Sequence, residues 1–101
     1  MYFMITTRFS PNKAEEVVKI YTQTKWPKAP EFVKQLFVLS TMAKDIKSYT
    51  LFEVKDGKIK EGLGYINEIM SKYFSIEGIK LHIEPLFAPE DALALYGIKT
   101  T

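Results

Sequence analysis

The sequence predicts an α+β domain with a four-stranded antiparallel sheet, and three observations favour it. Four stretches are rich in β-branched and aromatic residues without a helical period, whereas two long stretches place apolar residues at helical spacing. Along the chain they follow the order strand, helix, strand, strand, helix, strand. The 101 residues suit one core, so we expect a single domain over residues 1–101.

The N-terminal stretch predicts a strand followed by a helix. Residues 2–9 form the strand, which has two largely apolar faces. Residues 10–12, Ser-Pro-Asn, end it, and Asn12 is the expected N-cap with Glu15 in capping-box position. The first helix then has an apolar stripe of Ala14, Val17, Val18 and Tyr21.

A hairpin and a second helix are expected next. The prolines in the stretch 26–30 end the first helix, and strands over 32–42 and 49–55 form the hairpin. Asp56-Gly57 is expected to cap the second helix, in which Gly62 and Gly64 suggest close packing. The apolar stripe of that helix consists of Ile59, Leu63, Ile66, Met70 and Tyr73.

The fourth strand spans residues 79–87, and a short third helix spans Pro89–Leu95. The resulting βαββαβ order is typical of the ferredoxin-like fold, with two helices on one face of a sheet ordered 4-1-3-2. The fourth strand would then lie at an edge, where Pro85 is tolerated because it cannot donate a ladder hydrogen bond.

The face of the sheet that lacks helices is expected to be apolar. Strands one and two carry apolar residues at consecutive positions, so either face receives some of them. An exposed apolar patch of this kind indicates an interaction surface. We therefore expect a homodimer through the open sheet face, which would enclose a partly polar cavity.

Candidate site residues lie in the alternating strands. His82, the only histidine, is the candidate catalytic residue, because its unperturbed pKa lies near neutrality. With the other charged and phenolic residues of its predicted face, it could bind a small polar or anionic ligand. The candidate ligand-binding residues are Arg8, Tyr49, Glu53, His82 and Glu84. The alternative interpretation is that they form interface ion pairs or are solvent-exposed edge residues.

Composition argues against several classes of function. The net charge of +2 is small and its lysines and arginines are scattered, which disfavours a nucleic-acid partner. A chain without cysteine cannot use thiolate chemistry, and one histidine is too few for a metal site. Haem with His82 as axial ligand is conceivable but has little support, and Gly62-Leu63-Gly64 lacks the third glycine of a dinucleotide fingerprint. We expect neither metal nor cofactor.

The sequence also predicts a protein without a membrane segment. Its N-terminus lacks the basic start and the cleavage site of a signal peptide, and its apolar runs are too short to cross a bilayer. We therefore expect a cytoplasmic protein.

A pattern of strand and turn residues extends over nearly the whole chain: the stretch from Val33-Lys34 to Tyr49, the run 53–59 (Glu-Val-Lys-Asp-Gly-Lys-Ile), the run 76–81 (Ile-Glu-Gly-Ile-Lys-Leu), the run 83–86 (Ile-Glu-Pro-Leu) and the run 90–93 (Glu-Asp-Ala-Leu). In this pattern the chain resembles a family of small uncharacterised ferredoxin-like domains. The family is similar to the wider dimeric α+β barrel superfamily. That superfamily includes oxygenases, haem-handling enzymes, isomerases and ligand-binding modules, so the resemblance implies a fold and a dimer but no single activity.

Two functions are consistent with these observations. The first is a non-catalytic or small-ligand-binding dimeric module. The alternative is a cofactor-independent monooxygenase or isomerase that acts on a small aromatic or carbonyl compound in the barrel cavity. In that enzyme His82 would be the general base, and Arg8 or Tyr49 would hold an enolate oxygen.

Overall fold

The computed structural model describes residues 1–97 and has an α+β fold with one four-stranded antiparallel sheet and three helices. This confirms the predicted fold class at that level. In chain order the elements are β1 Tyr2–Phe9, a short 3₁₀ turn Pro11–Lys13, α1 Ala14–Gln23, β2 Val33–Met42, β3 Ile46–Val54, α2 Ile59–Ser71, β4 Lys80–Leu86 and α3 Pro89–Leu95.

The strands lie in the order β2-β3-β1-β4, with each neighbouring pair antiparallel. Read from the opposite edge, the same order is β4-β1-β3-β2. Strand β4 is therefore an edge strand, and its Pro85 lies opposite Phe3 of β1. Strand β2 forms the other edge and contains a bulge between Gln35 and Phe37, which inserts Leu36 without a partner on β3.

The side chains of the sheet alternate between two faces, and helix α2 packs on one of them. Ile66 of α2 belongs to the same buried cluster as Phe3 and Ile5 of β1. We call this side of the sheet the helix face. The other buried members of the cluster are Val33, Phe52 and Val54. Val54 and Ile66 are fully buried, with 0% of their surface exposed, so the centre of the core lies between β3 and α2.

Both predicted helix caps are wrong. Helix α1 begins at Ala14 after a 3₁₀ turn, and its N-cap is Lys13 rather than Asn12. Helix α2 begins at Ile59 with Lys58 as N-cap, while Gly57 has a φ of 86° in the preceding turn. Neither cap residue makes a side-chain hydrogen bond to the helix. The turns that position each helix on the sheet therefore decide where it begins.

Three strands have bounds that differ from the prediction, and of these β2 begins at Val33, one residue later than expected. Strand β3 begins at Ile46, three residues earlier than expected, because Ile46 pairs with both Phe9 and Met42. Strand β4 begins at Lys80 and ends at Leu86, one residue inside the expected range at each end. Pairing with β1 and β2 therefore extends β3 beyond the stretch of alternating residues from which the strand was predicted.

The two glycines of α2 have different surroundings. At Gly62 a Cβ atom would lie 3.1 Å from Val54 Cγ2 and closer still to Val54 Cγ1. The prediction of close packing is therefore confirmed for Gly62. At Gly64 a Cβ atom would meet nothing within 4 Å, so no strand within residues 1–97 packs closely there, and the alternative of packing against a partner stays a prediction.

None of the helices in the described part of the chain is long and apolar enough to cross a membrane.

Candidate functional site

All five sequence-predicted site residues lie on the face of the sheet opposite the helix face, which we call the open face. None of its sixteen residues is buried, although several are half-buried. Reading from β2 through β3 and β1 to β4, its first row is Thr41, Lys47, Arg8, Lys80; its second is Leu39, Tyr49, Thr6, His82; its third is Phe37, Leu51, Met4, Glu84; and its fourth is Lys34, Glu53, Tyr2, Leu86.

The structure brings only part of the predicted cluster together. His82 Nε2 lies 3.5 Å from Glu84 Oε1 on the same strand. Tyr49 shares the second row with His82, but Thr6 of β1 lies between them. Two strand spacings separate Tyr49 and His82 by about 10 Å. His82 and Glu84 therefore form a pair at the edge, with Tyr49 beyond direct reach.

Arg8 and Glu53 lie at opposite ends of the open face. They are separated by six residues along the strands, which corresponds to about 20 Å. Arg8 donates from Nε to Asp45 Oδ2 at 2.9 Å, and its Nη2 donates to the same oxygen. A hydrogen bond to Glu53 and the charge of that carboxylate raise the pKa of Tyr2, its cross-strand neighbour. Each of these residues thus has a local partner, so the five residues do not form one binding cluster.

The Arg8–Asp45 pair links β1 to the start of β3, and we expect it to make stability depend on pH. The hydrogen bond from Arg8 holds the pKa of Asp45 below its ordinary value of 3.8. A carboxyl group whose pKa is lower in the folded than in the unfolded state stabilises the protein at pH values above its unfolded-state pKa. This contribution is lost as the pH falls through the folded-state pKa. Asp45→Asn should therefore lower the midpoint of thermal unfolding slightly at pH 7, by an amount that shrinks below pH 3.8.

The matched control is Glu77→Gln, which neutralises an exposed carboxylate that makes no ion pair within residues 1–97. Thermal unfolding followed by circular dichroism gives the midpoint of unfolding from pH 7 to pH 2 for the wild type and the two variants. An Asp45→Asn difference that is independent of pH would contradict the assigned role of the charge.

The described residues contain no group of three or more histidine, cysteine, aspartate or glutamate side chains able to hold a metal ion. The His82–Glu84 pair supplies two such groups, and both side chains are more than half exposed. Metal centres in proteins ordinarily need three or four ligands. No arrangement in this part of the chain thus suggests a metal centre.

A large cavity lies on the helix face. Its volume is about 780 Å³, and helices α1 and α2 form its walls above the sheet. The side chains of α1 that line it remain half-buried or exposed, and no residue of α1 is buried. The sheet contributes Ile5, Thr7, Phe9, Gln35, Val38, Ser40, Met42, Ile46, Ser48, Thr50, Phe52 and Leu81; the helices and the following segments contribute Ala14, Val17, Val18, Tyr21, Trp26, Tyr65, Ile66, Ile69, Met70 and Tyr73.

The described lining of the cavity contains apolar side chains, hydroxyls and one amide, but no carboxylate, ammonium, guanidinium or imidazole group. Burial raises the pKa of Tyr65 and Tyr73, so both phenols stay neutral near pH 7. The rings of Trp26 and Tyr73 stack with their centroids 5.8 Å apart. Trp26 Nε1 also donates to the carbonyl of Tyr21 at 3.0 Å, which fixes this aromatic wall to the end of α1.

Sequence reasoning missed this cavity, although the sequence contained a signal for it. Thr7, Ser40, Ser48 and Thr50 occupy helix-face positions between larger apolar residues. Ser40 and Ser48 satisfy each other through a hydrogen bond of 2.7 Å between their hydroxyls. Small polar side chains at such positions leave space that a row of valine and isoleucine would fill.

No protein family and no curated protein matches the chain. Among solved structures, the chain is similar to one described as "De novo designed protein Foldit4", with a TM-score of 0.41, 10% sequence identity, and coverage of 85% of this chain and 97% of that chain. A similarity of this size carries no argument about function. The resemblance to the uncharacterised ferredoxin-like family therefore stays a prediction.

Proposed function

We propose that the protein is a binding module that takes a small, uncharged, partly aromatic ligand into the cavity between α1, α2 and the sheet. The observation that carries this proposal is a cavity of about 780 Å³ whose described lining is mostly apolar and carries no charged group. Ligand sites in proteins typically have volumes of about 300–1,000 Å³ and combine apolar walls with a few polar groups.

The lining matches an aromatic ligand in shape and polarity. Trp26 and Tyr73 form a stacked wall on the helix side, while Phe9 and Phe52 contribute rings from the sheet. Hydroxyls of the sheet provide hydrogen-bond partners for one or two polar atoms. A charged ligand would lose part of its hydration against the apolar walls without finding an opposite charge among the described lining residues. The lining thus favours uncharged ligands.

Two fluorescent dyes that differ only in charge test this proposal. N-phenylnaphthylamine is uncharged, and anilinonaphthalene sulfonate has the same rings with an added sulfonate. We expect fluorescence titration to show saturable binding of the uncharged dye and at least about tenfold weaker binding of the sulfonate, since burial of an unpaired charge is costly. Equal binding of the two dyes would contradict the proposal.

A substitution inside the cavity locates the bound dye. Thr50→Phe places a ring in the cavity from the centre of β3, and we expect it to abolish saturable binding of the uncharged dye. Thr22→Phe makes the same change on an exposed position of α1 that is not part of the lining, and it should leave binding unchanged. Binding that survives Thr50→Phe would place the dye elsewhere.

We further propose that the domain is ferredoxin-like and forms a homodimer through the open face. The βαββ order, the strand order and the placement of α2 on a single face support the topology. On the open face Leu39 is 62% exposed and Tyr2 is 37% exposed, and apolar side chains of this kind gain from burial against a second protein surface.

The alternative is a cofactor-independent monooxygenase or isomerase with His82 as general base. A base must lie within hydrogen-bond reach of the proton that it removes. The side chain of His82 is 69% exposed on the open face, on the opposite side of the sheet from the cavity. This activity would need a second enclosed space at the dimer interface, so the binding module is the better supported proposal.

A further inference from the structure

The charges of the open face are unevenly distributed along the strands. The first row contains Lys47, Arg8 and Lys80, whereas the acidic residues of this face, Glu84 and Glu53, lie in the third and fourth rows, with Lys34 opposite Glu53 in the fourth. Among the described residues, Asp45 forms a salt bridge with Arg8, and neither lysine of the first row has a salt-bridge partner. One end of the open face is therefore basic, and glutamates lie toward the other.

Two arrangements bring the open faces of two copies together with their strands aligned. Sheets that pack in the aligned way keep their strand directions within about 30°. The two-fold axis between the sheets then runs either along the strands or across them. An axis along the strands places each row over the same row of the second copy, with β3 over β1. An axis across the strands places the first row of one copy over the fourth row of the other, and each strand over the same strand of the other copy.

The axis along the strands brings like charges together. Lys47 on β3 would lie over Arg8 on β1 of the second copy, and the reciprocal contact repeats it. Glu84 on β4 would lie over the apolar Phe37 on β2 of the second copy. Both contacts oppose association, because like charges and unpaired buried charges are costly at an interface.

The axis across the strands brings no like charges of the open face together, although Lys80 would lie over the apolar Leu86 and Lys34 over Thr41. It pairs opposite charges and apolar residues at other positions. Lys47 would lie over Glu53 of the second copy, and His82 over Glu84 of the second copy. The same operation places Leu39 over Phe37, and Tyr49 over Leu51. Each of these contacts occurs twice because the two-fold axis repeats it.

We propose that a second copy of this chain docks on the open face with the two-fold axis across the strands, so that Lys47 of each copy pairs with Glu53 of the other. This inference rests on the proposed dimer and adds its orientation and its charge partners. The apolar pairs of the middle rows and the Lys47–Glu53 pair of the outer rows then favour the same register.

Charge reversal tests this orientation. In the arrangement across the strands, Lys47→Glu puts glutamate over glutamate and Glu53→Lys puts lysine over lysine, so each variant should weaken the dimer about tenfold or more. The double variant, Lys47→Glu with Glu53→Lys, restores both pairs and should regain wild-type affinity. Mixing the two single variants should give a heterodimer, because both of its Lys–Glu pairs are complementary.

Sedimentation equilibrium of the full chain measures each dissociation constant, and circular dichroism verifies that the variants are folded. A wild-type mass that stays at 11.7 kDa at high concentration would refute the proposed dimer itself. A wild-type dimer that is strengthened by Lys47→Glu would instead support the axis along the strands, because the introduced carboxylate would then face Arg8 of the second copy. A dimer that neither reversal changes would also overturn the proposed orientation.

Discussion

Replacing Ile66 by alanine is expected to lower the free energy of unfolding by about 2–5 kcal/mol, which is the usual cost of truncating a fully buried isoleucine. Ile66 is 0% exposed and contacts the cluster that joins β1 and β3 to α2. The loss of stability combines the free energy of burying the removed apolar atoms with the cost of the space that they leave. Because Ile66 also borders the helix-face cavity, the new space would join an existing one rather than collapse.

The control for this change is Val18→Ala on α1. Val18 is 57% exposed although it lines the same cavity, so its truncation should change the stability by about 0.5 kcal/mol or less. Urea unfolding followed by tryptophan fluorescence measures both variants, since Trp26 is the single tryptophan. Comparable losses for the two variants would mean that α1 contributes to the core as much as α2 does.

Replacing Gly62 by alanine is expected to destabilise the protein by up to about 2 kcal/mol, because inserting a methyl group into a filled core typically costs about 1–3 kcal/mol and a higher helix propensity offsets about 1 kcal/mol of it. The new Cβ atom would approach both methyl groups of Val54, which is fully buried and has little room to move. Alanine has a higher helix propensity than glycine by about 1 kcal/mol, so the measured loss is what remains after that gain. The change in stability on substituting Gly62 therefore measures how closely α2 packs against β3.

Gly64→Ala is the matched control, because it makes the same change two residues later in the same helix. A Cβ atom there meets nothing within 4 Å, so only the gain in helix propensity remains. We expect this variant to be more stable than wild type by up to about 1 kcal/mol. Urea unfolding of both variants gives the comparison. If Gly62→Ala were also stabilising, the close approach of α2 to Val54 would be excluded.

The predicted elements agree with the structure where one property of the sequence dominates. The strand predicted over residues 2–9 and the third helix predicted over Pro89–Leu95 match their observed bounds. An aromatic and β-branched stretch without a helical period determined the first, and proline followed by acidic residues determined the second. The caps of α1 and α2 were wrong because Asn12 and Asp56 can serve turns as well as helices.

For the candidate site residues, too, local pattern predicted one property and the tertiary structure decided another. Alternation placed Arg8 and His82 each on one side of its own strand, and the open face contains both. Their separation depends on cross-strand register, which in turn depends on how the hairpin and the crossovers close. The sequence therefore could not show that Arg8 pairs with Asp45, or that about 20 Å separates Arg8 from Glu53.

The sequence by itself determined that this chain builds a four-stranded antiparallel sheet with helices and has apolar residues on both faces of that sheet, because these features follow from local periodicity. The tertiary structure alone decided that α1 leaves a cavity of about 780 Å³ above Thr7, Ser48 and Thr50. That cavity depends on the distance between a helix and a sheet. The distance is set by all the side chains between them together, so the small polar residues at these positions indicate space but do not determine its size.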